Sequence, residues 1–273
     1  SEIAVRILTR QQDEVIDRKF LRRRMEQAIR LRVENPLLME VSSARRLIHG
    51  ESDGLPGLIV DDYAGWLVMQ IHTMGMEKLR TLIVETLQDV IDSKGIWERS
   101  DVGTRRADGL KDRPTGLVSG AEPPELVEFH EAGVPMTADL RNGQKTGFFL
   151  DQRENRILLG RISRDASVLN CFSYTGGFSV HARHGGARRT LDVDVVPAVL
   201  QRGRKQAVTC ADETRSAYAA ADGFRFLDML AERANRPMFD VVVIDPPSLV
   251  RKGRDVKNAL GVYTKLNRNA LRL

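Results

Sequence analysis

Residues 239–253, FDVVVIDPPSLVRKG, join a short apolar run to an abrupt polar end. The valines and isoleucine predict a buried strand, because a short run of β-branched residues is typical of a strand covered on both faces. The run ends at Asp245, and Pro246 and Pro247 follow directly. Each proline fixes its own φ, so the turn is stiff and Asp245 is expected to be held at the carboxyl end of the strand.

From residue 150 onward, the chain alternates predicted strands and helices. The strands are predicted at 166–170, 188–194 and 239–245, and the helices at 153–162, 178–186, 196–208 and 256–272. Such alternation predicts right-handed crossovers and a parallel sheet covered on both faces. Ligands of such sheets bind at the carboxyl ends of the strands, near the switch in strand order. The segment 217–224, AYAAADGF, is only a weak strand candidate.

The preceding residues have a different pattern, which predicts a smaller α+β domain at 11–141. Helices are predicted at 12–34 and 76–92, and strands at 45–48, 57–61, 66–72 and 95–100. Hairpins are expected to turn at 62–65 and at Ala132-Gly133, while 105–126, rich in Gly, Pro and charge, predicts a loop. A second domain is then predicted at 142–273.

Composition and length favour a soluble globular protein, with 42% hydrophobic and 29% charged residues. No apolar run reaches the roughly 18 residues needed to span a bilayer, and the first ten residues lack signal-peptide features. Cys171 and Cys210 are too few for a disulfide framework and fit a reducing compartment. These features predict a cytoplasmic protein without a membrane partner. No Cys/His set has zinc spacing, so no metal site is predicted.

The basic charge is concentrated at one end of the chain. The net charge is +5, and residues 248–273 carry seven basic side chains against one acid, +6, which leaves −1 for the rest. One interpretation is a solvated helix face that complements the helix dipole. The other is a set of phosphate contacts beside an active site.

Three predicted strand ends carry residues suited to one ligand. The first opens into NCFSYTGG, where Gly176 and Gly177 allow close approach of backbone to a ligand. The second ends at Asp194, which can accept hydrogen bonds from ribose hydroxyls, and the third at Asp245. The set predicts a nucleoside cofactor. A dinucleotide is disfavoured, because G-x-G-x-x-G is absent and the bulky CFSYT stands where pyrophosphate would need bare backbone.

Four stretches together resemble a known family: LNCFSYTGGFSVHA, GQKTGFFLDQRENR, ESDGLPGLIVDDY and FDVVVIDPPSLV. They are similar to the bacterial 23S rRNA cytosine-C5 methyltransferases of the large-subunit methyltransferase I type. The resemblance implies a Rossmann-like class I methyltransferase sheet preceded by a central α+β domain. It also implies S-adenosyl-L-methionine as cofactor and 23S rRNA or another structured RNA as partner, and a homodimer is compatible with it.

The resemblance further implies roles for individual residues. Gly176 would face the methionine part of the cofactor, Asp194 the ribose and Asp222 the adenine amino group. Asp245 would sit where cofactor and target base meet. Its carboxylate could accept from the cytosine amino group or share a proton with N3, so Asp245 and Pro246 are the catalytic candidates. The cofactor-binding candidates are Phe149, Asp151, Arg153, Asn170, Phe172, Tyr174, Gly176, Asp194, Asp222 and Asp245.

Methylation at cytosine C5 needs a thiolate that adds at C6. In the family this cysteine lies in a Ser-Cys-Ser-like segment beyond the helix after Asp-Pro-Pro, and the present sequence ends before it. Cys171 is interpreted as a packed side chain and Cys210 lies in a poorly patterned connection, so no nucleophile is assigned. Residues 1–10 are interpreted as the remnant of an N-terminal RNA-binding, PUA-like domain. We therefore expect a fragment whose sheet is incomplete on its carboxyl-terminal side.

Two alternatives to the cytosine-C5 interpretation stay open. A guanine methyltransferase of the same rRNA group would need no cysteine, because a ring nitrogen attacks the methyl group directly. A non-catalytic RNA-binding module would use the sheet only as a scaffold. Cofactor binding separates the module from both enzymes.

Overall fold

A computed structural model describes residues 3, 5–35, 41–101, 103–210, 213–233, 235, 238–250 and 256–273. The chain forms two compact units, Ser1–Asp151 and Gln152–Leu273. The domain boundary at 141 and the assignment of residues 1–10 stay predictions, although residues 5–10 form no strand. Within the described ranges, every helix is too short or too polar to cross a bilayer.

The first unit contains a five-stranded sheet, a separate hairpin and four helices in its described part. The strands are β1 (Ala44–His49), β2 (Leu58–Tyr63), β3 (Trp66–Ile71), β4 (Gly95–Glu98), β5 (Gly116–Gly120), β6 (Val127–Glu131) and β7 (Val134–Ala138). The helices are α1 (Arg18–Val33), α2 (Met74–Lys78), α3 (Arg80–Val90) and α4 (Thr104–Ala107). The sheet runs β1-β2-β3-β4-β5, with only β3 and β4 parallel, and β6 pairs with β7.

Helices α1 and α3 supply the apolar cover of this sheet. The buried residues of α1 (Phe20, Leu21, Met25 and Ala28) recur at helical spacing and join one core cluster with Ile83 and Leu87 of α3. The predicted 12–34 helix is wrong at its start. Helix α1 begins at Arg18 because the Asp17 carboxylate accepts from Phe20 N at 2.9 Å and caps the helix. The predicted 76–92 helix is two helices, divided at Leu79.

The predicted loop at 105–126 is also wrong, because it contains most of α4 and all of β5. Glycines at both ends of β5 obscure the strand in the sequence. Gly120 is required there, since its φ is +74° and a Cβ would stand 2.7 Å from Lys94 O. Both predicted hairpin turns are confirmed. Ala64 and Gly65 have φ of 51° and 91°, as a type I′ turn requires.

The second unit is a parallel sheet whose strands alternate with helices. Its strands are β8 (Ser167–Cys171), β9 (Arg189–Asp194), β10 (Ser216–Ala220) and β11 (Val241–Ile244). Its helices are α5 (Arg153–Ile162), α6 (Gly177–His184), α7 (Pro197–Cys210), α8 (Gly223–Arg233) and α9 (Val256–Ala270). Residues 217–220 of the weak candidate at 217–224 lie in β10, which pairs with β9 over five residues, whereas Gly223 and Phe224 begin α8. The prediction that Cys210 lies in a connection between elements is wrong, because Cys210 is the last residue of α7.

Strand order in the second unit is β10-β9-β8-β11, and every neighbouring pair is parallel. The chain therefore steps from β8 to β9 to β10 and then returns to the other side of β8. The order reverses between β8 and β11, and ligands of such sheets bind beside this reversal, at the carboxyl ends of the strands. The loops that begin at Phe172 and Asp245 leave the sheet there.

Candidate active site

The loop after β8 turns sharply because three of its residues adopt left-handed backbone conformations. Phe172, Tyr174 and Gly176 have φ of 59°, 50° and 75°. This conformation is costly for a residue other than glycine, and such strain is concentrated at ligand sites. Hydrogen bonds hold the loop in place, with Ser173 N donating to Val193 O at 3.0 Å and Gly176 N to Ser173 O at 2.9 Å. We refer to residues 172–176 as the cofactor turn.

Gly176 closes the cofactor turn and starts α6. Its positive φ favours glycine, and a Cβ there would lie 3.2 Å from Asp192 Oδ2. The backbone conformation and the close carboxyl beneath it therefore both disfavour a side chain at this position. The result is a tightly packed backbone turn at a helix N-terminus, whose residues 173–177 are buried.

Asp194 joins the end of β9 to the cofactor turn. Its Oδ2 accepts from Tyr174 N at 2.9 Å, and its Oδ1 accepts from Val196 N at 3.0 Å. The side chain is half-buried. Each carboxylate oxygen has two acceptor positions, so both can still accept from a ligand hydroxyl. The two backbone donors thus fix the orientation of an acid whose remaining lone pairs are free for a ribose.

Two aromatic rings connect the cofactor turn to the end of β10. Phe172 and Phe224 meet edge to face, with centroids 4.9 Å apart and an angle of 61°. A Cβ on Gly223 would lie 2.7 Å from the Phe172 ring, so this glycine admits the ring. Asp222 is exposed next to it, and its Oδ1 accepts from Arg225 N at 3.0 Å at the start of α8. The structure thus brings Phe172 and Asp222 to the same edge of the sheet as Gly176 and Asp194.

Asn170 faces away from solvent. It is 1% exposed, and its Nδ2 donates to Asp192 Oδ1 at 2.7 Å and to Ser179 Oγ at 3.2 Å. Neither Asp192 nor Ser179 was predicted from the sequence. The signal that could have found Asp192 is the D-V-D pattern at 192–194, since residues i and i+2 of a strand share a face.

Asp245 follows the last residue of β11 and is exposed, while Pro246 is half-buried. The register pairs Ile244 with Cys171, so the residues that follow each strand, Asp245 and Phe172, leave the sheet at the same edge. The three predicted strand ends, with Gly176, Asp194 and Asp245, therefore lie at one edge of one sheet.

The segment 145–151 belongs to the first unit, and buried side chains hold it there. Thr146 Oγ1 donates to Asp61 Oδ2 at 2.7 Å and lies 3.0 Å from the Tyr63 hydroxyl. Lys145 Nζ lies 4.4 Å from the centroid of the Phe149 ring and 3.7 Å from Asp151 Oδ2. Phe149 and Asp151 thus share one cation.

Arg153 belongs to the second unit, where its Nε donates to Glu154 Oε1 at 3.1 Å. The roles of Phe149, Asp151 and Arg153 toward a cofactor stay predictions.

Cys171 is fully buried at the end of β8, and burial beside Asp192 raises the pKa of its thiol to about 12. At pH 8 only about one molecule in 10,000 would carry the thiolate. We expect iodoacetamide to leave Cys171 unmodified in the folded protein and to alkylate it after unfolding in urea, as measured by mass spectrometry of the peptide containing it. Rapid alkylation under native conditions would contradict the buried position.

The described residues contain no group of three or more His, Cys, Asp or Glu side chains that could hold a metal ion. Asp194 ends β9, Asp222 and Asp245 follow β10 and β11, and a glycine turn follows β8. Together these residues have the features of a nucleoside-binding edge on a parallel α/β sheet.

Sequence comparison defines the class. Residues 45–269 match the model of the S-adenosylmethionine-dependent methyltransferase family, and the chain belongs to that family. The predicted Rossmann-like fold, the enzyme class and the cofactor, S-adenosylmethionine, are confirmed.

Two curated relatives, from Aeromonas salmonicida (strain A449) and Aliivibrio fischeri (strain MJ11), are each named ribosomal RNA large subunit methyltransferase I. They are 39% identical to this chain over 275 and 276 residues, and each match covers 100% of this chain and 68% of the relative.

Two solved structures share the fold. The methyltransferase SMU.776 complexed with S-adenosylhomocysteine superposes with a TM-score of 0.80 at 24% identity, covering 96% of this chain and 66% of that one. A methyltransferase from Streptococcus mutans has a TM-score of 0.76 at 20% identity, covering 96% and 73%.

Proposed function

We propose that this chain binds the cofactor and the target base in an enzyme that transfers a methyl group from S-adenosylmethionine to a base of large-subunit ribosomal RNA, with cytosine C5 as the acceptor position. Transfer to C5 also needs a thiolate that adds at C6 and a base that removes the C5 proton, and neither cysteine of this chain is assigned to that step. The observation that carries the proposal is the 39% identity, over the whole chain, to relatives named ribosomal RNA large subunit methyltransferase I. The choice of cytosine C5 rests on the family resemblance of the four motifs. The basic residues 248–273 supply charge for an RNA backbone.

The second unit fits the cofactor on three counts. Gly176 has a φ of 75°, which favours glycine, and a Cβ there would stand 3.2 Å from Asp192 Oδ2. Asp194 presents a fixed carboxylate to a ribose, and Phe172 offers a half-buried ring near Asp222 for the adenine. When bound, S-adenosylmethionine supplies an electrophilic methyl group on a sulfonium. Gly176, Asp194, Phe172 and Asp222 would hold it, with Tyr174 contributing through the backbone N–H that orients Asp194.

Asp245 is proposed to position the target base. The carboxylate can accept from an exocyclic amino group or share a proton at a ring nitrogen, and the two prolines after it limit its motion. The acceptor atom must lie in line with the transferred methyl at roughly 3 to 3.5 Å. A small misplacement of the base is therefore expected to lower the rate of methyl transfer more than it lowers the affinity for the RNA.

Replacing Asp245 by alanine should lower the rate of methyl transfer at least about a hundredfold, because the base loses its polar anchor. The dissociation constant for S-adenosylmethionine should stay near the wild-type value. The rate is measured as tritium transferred to unmodified 23S rRNA, and the affinity by calorimetry. Ser248→Ala, on the same exposed loop, is the control and should keep wild-type activity. Undiminished turnover of Asp245→Ala would contradict this role.

Two measurements separate the proposal from its alternatives. Calorimetry with S-adenosylhomocysteine should give heat, whereas intact RNA binding without heat would favour a non-catalytic module. Digestion of the methylated RNA to nucleosides, followed by mass spectrometry, should yield 5-methylcytidine. A methylguanosine would instead identify a guanine methyltransferase.

A further inference from the structure

A buried acid lies directly beneath the cofactor turn. Asp192 is 1% exposed, and the β8–β9 register pairs it with Asn170. Its Oδ1 accepts from Ser179 Oγ at 2.6 Å and from Asn170 Nδ2 at 2.7 Å. One oxygen thus ties together β8, β9 and the first turns of α6.

The other carboxyl oxygen of Asp192 points toward the cofactor turn. A Cβ on Gly176 would lie 3.2 Å from Oδ2, so this oxygen forms the floor under the glycine. Oδ2 is buried and accepts no hydrogen bond from any part of the chain that the structure describes. The turn that faces the ligand therefore rests on a polar atom with unused acceptor capacity.

Stability alone does not account for this acid. Burial raises the pKa of Asp192 and Asp194 adds repulsion, while Ser179, Arg183 and Asn170 oppose the shift. The guanidinium of Arg183 is directed to another residue, since its Nη1 donates to Thr190 Oγ1 at 3.0 Å. A buried carboxyl with an unpartnered oxygen costs free energy that an apolar residue would not. Buried titratable groups that are costly in this way are concentrated at ligand-binding and active sites.

We propose that Asp192 is a positioning residue, which holds the cofactor turn and the start of α6 in the geometry that binds S-adenosylmethionine. Through Ser179 it fixes the beginning of the helix, through Asn170 it fixes the end of β8, and through Oδ2 it supports Gly176. The inference rests on the proposed placement of the cofactor on this turn.

Asp192→Ala should raise the dissociation constant for S-adenosylhomocysteine about tenfold, because the links to Ser179 and Asn170 are both lost. Asp192→Asn keeps one acceptor oxygen and should recover the affinity to within about threefold of wild type. The affinity is measured by calorimetry on protein whose folded fraction is first determined by circular dichroism.

Thr190→Val is the matched control. Thr190 is also buried and shares a strand face with Asp192, but it lies farther from the carboxyl end of the strand. The substitution removes the hydrogen bond that Arg183 donates to the Thr190 hydroxyl. It should leave the dissociation constant unchanged while lowering the melting temperature, as a merely structural residue would. A tenfold loss in this variant too would overturn the inference.

The remaining outcomes distinguish the inference from the proposed function. If the wild-type protein binds and folded Asp192→Ala binds equally well, the inference fails alone. If the wild-type protein gives no heat, the proposed function fails and the inference with it. Should Asp192→Ala not fold, Ser179→Ala replaces it, with an expected loss of about threefold. Unchanged binding by Ser179→Ala would then overturn the inference.

Discussion

An Asp194→Asn variant is expected to bind S-adenosylmethionine at least about tenfold more weakly than the wild-type protein. Both carboxylate oxygens accept a backbone N–H, from Tyr174 and from Val196. An asparagine has one oxygen and one NH₂ group, so in either orientation a donor would face a donor. The variant would therefore lose a ribose acceptor and release one anchor of the cofactor turn. Calorimetric titration measures the affinity.

Asp240→Asn is the matched control for this change. The Asp240 carboxylate also accepts a backbone N–H, from Ser167 N at 2.7 Å, but at the amino end of β8. Only one oxygen is used in that bond, so an asparagine can still accept it. We expect wild-type affinity in this variant. Equal affinities of Asp194→Asn and wild type would remove Asp194 from the cofactor site.

Asp61→Ala should lower the free energy of unfolding of the first unit by about 3 kcal/mol. Asp61 is fully buried and accepts from Arg46 Nε at 2.8 Å, from Arg46 Nη2 at 3.0 Å and from Thr146 Oγ1 at 2.7 Å. Removal of the acid leaves the partly buried Arg46 without its counterion. The loss stays near the lower end for a broken buried pair, because the Arg46 side chain is 35% exposed and can rehydrate.

Tryptophan fluorescence during urea unfolding reports this change selectively, since Trp66 and Trp97 both belong to the first unit. Asp89→Ala serves as the control, because it breaks a surface pair with Arg18 and should cost less than about 1 kcal/mol. A cost for Asp61→Ala no larger than for Asp89→Ala would show that the buried network is not stabilising.

The parts of the site that follow from local pattern were predictable. Asp194 and Asp245 stand at the carboxyl ends of two predicted strands, and the carboxyl ends of parallel strands meet at one edge whatever the tertiary detail. Gly176 carries its own signal, because few other residues adopt its φ. The left-handed conformations of Phe172 and Tyr174 had no such signal. Residues of their kind rarely adopt them, and here hydrogen bonds to the end of β9 maintain them.

Strands with little apolar content were predicted weakly or missed. Strand β10 is half-exposed along its length and contains three alanines, so neither burial nor β-branching reveals it. It is a strand because β9 supplies a parallel partner over its full length. Strand β5 is similar, with glycines at both ends. The Asp192 network was missed because its meaning depends on which side chains of β8 and α6 face it.

The reversal of strand order between β8 and β11 has a consequence for inhibitor design. The loop that would hold the nucleoside starts at Phe172, after β8. The loop that would hold the target base starts at Asp245, after β11, and the two strands are neighbours in the sheet. A bisubstrate compound, in which a short linker joins an adenosine to a pyrimidine, would engage both loops at once. Its selectivity would then depend on the Asp-Pro-Pro side, because other enzymes that use the same nucleoside share only the first half of the compound's contacts.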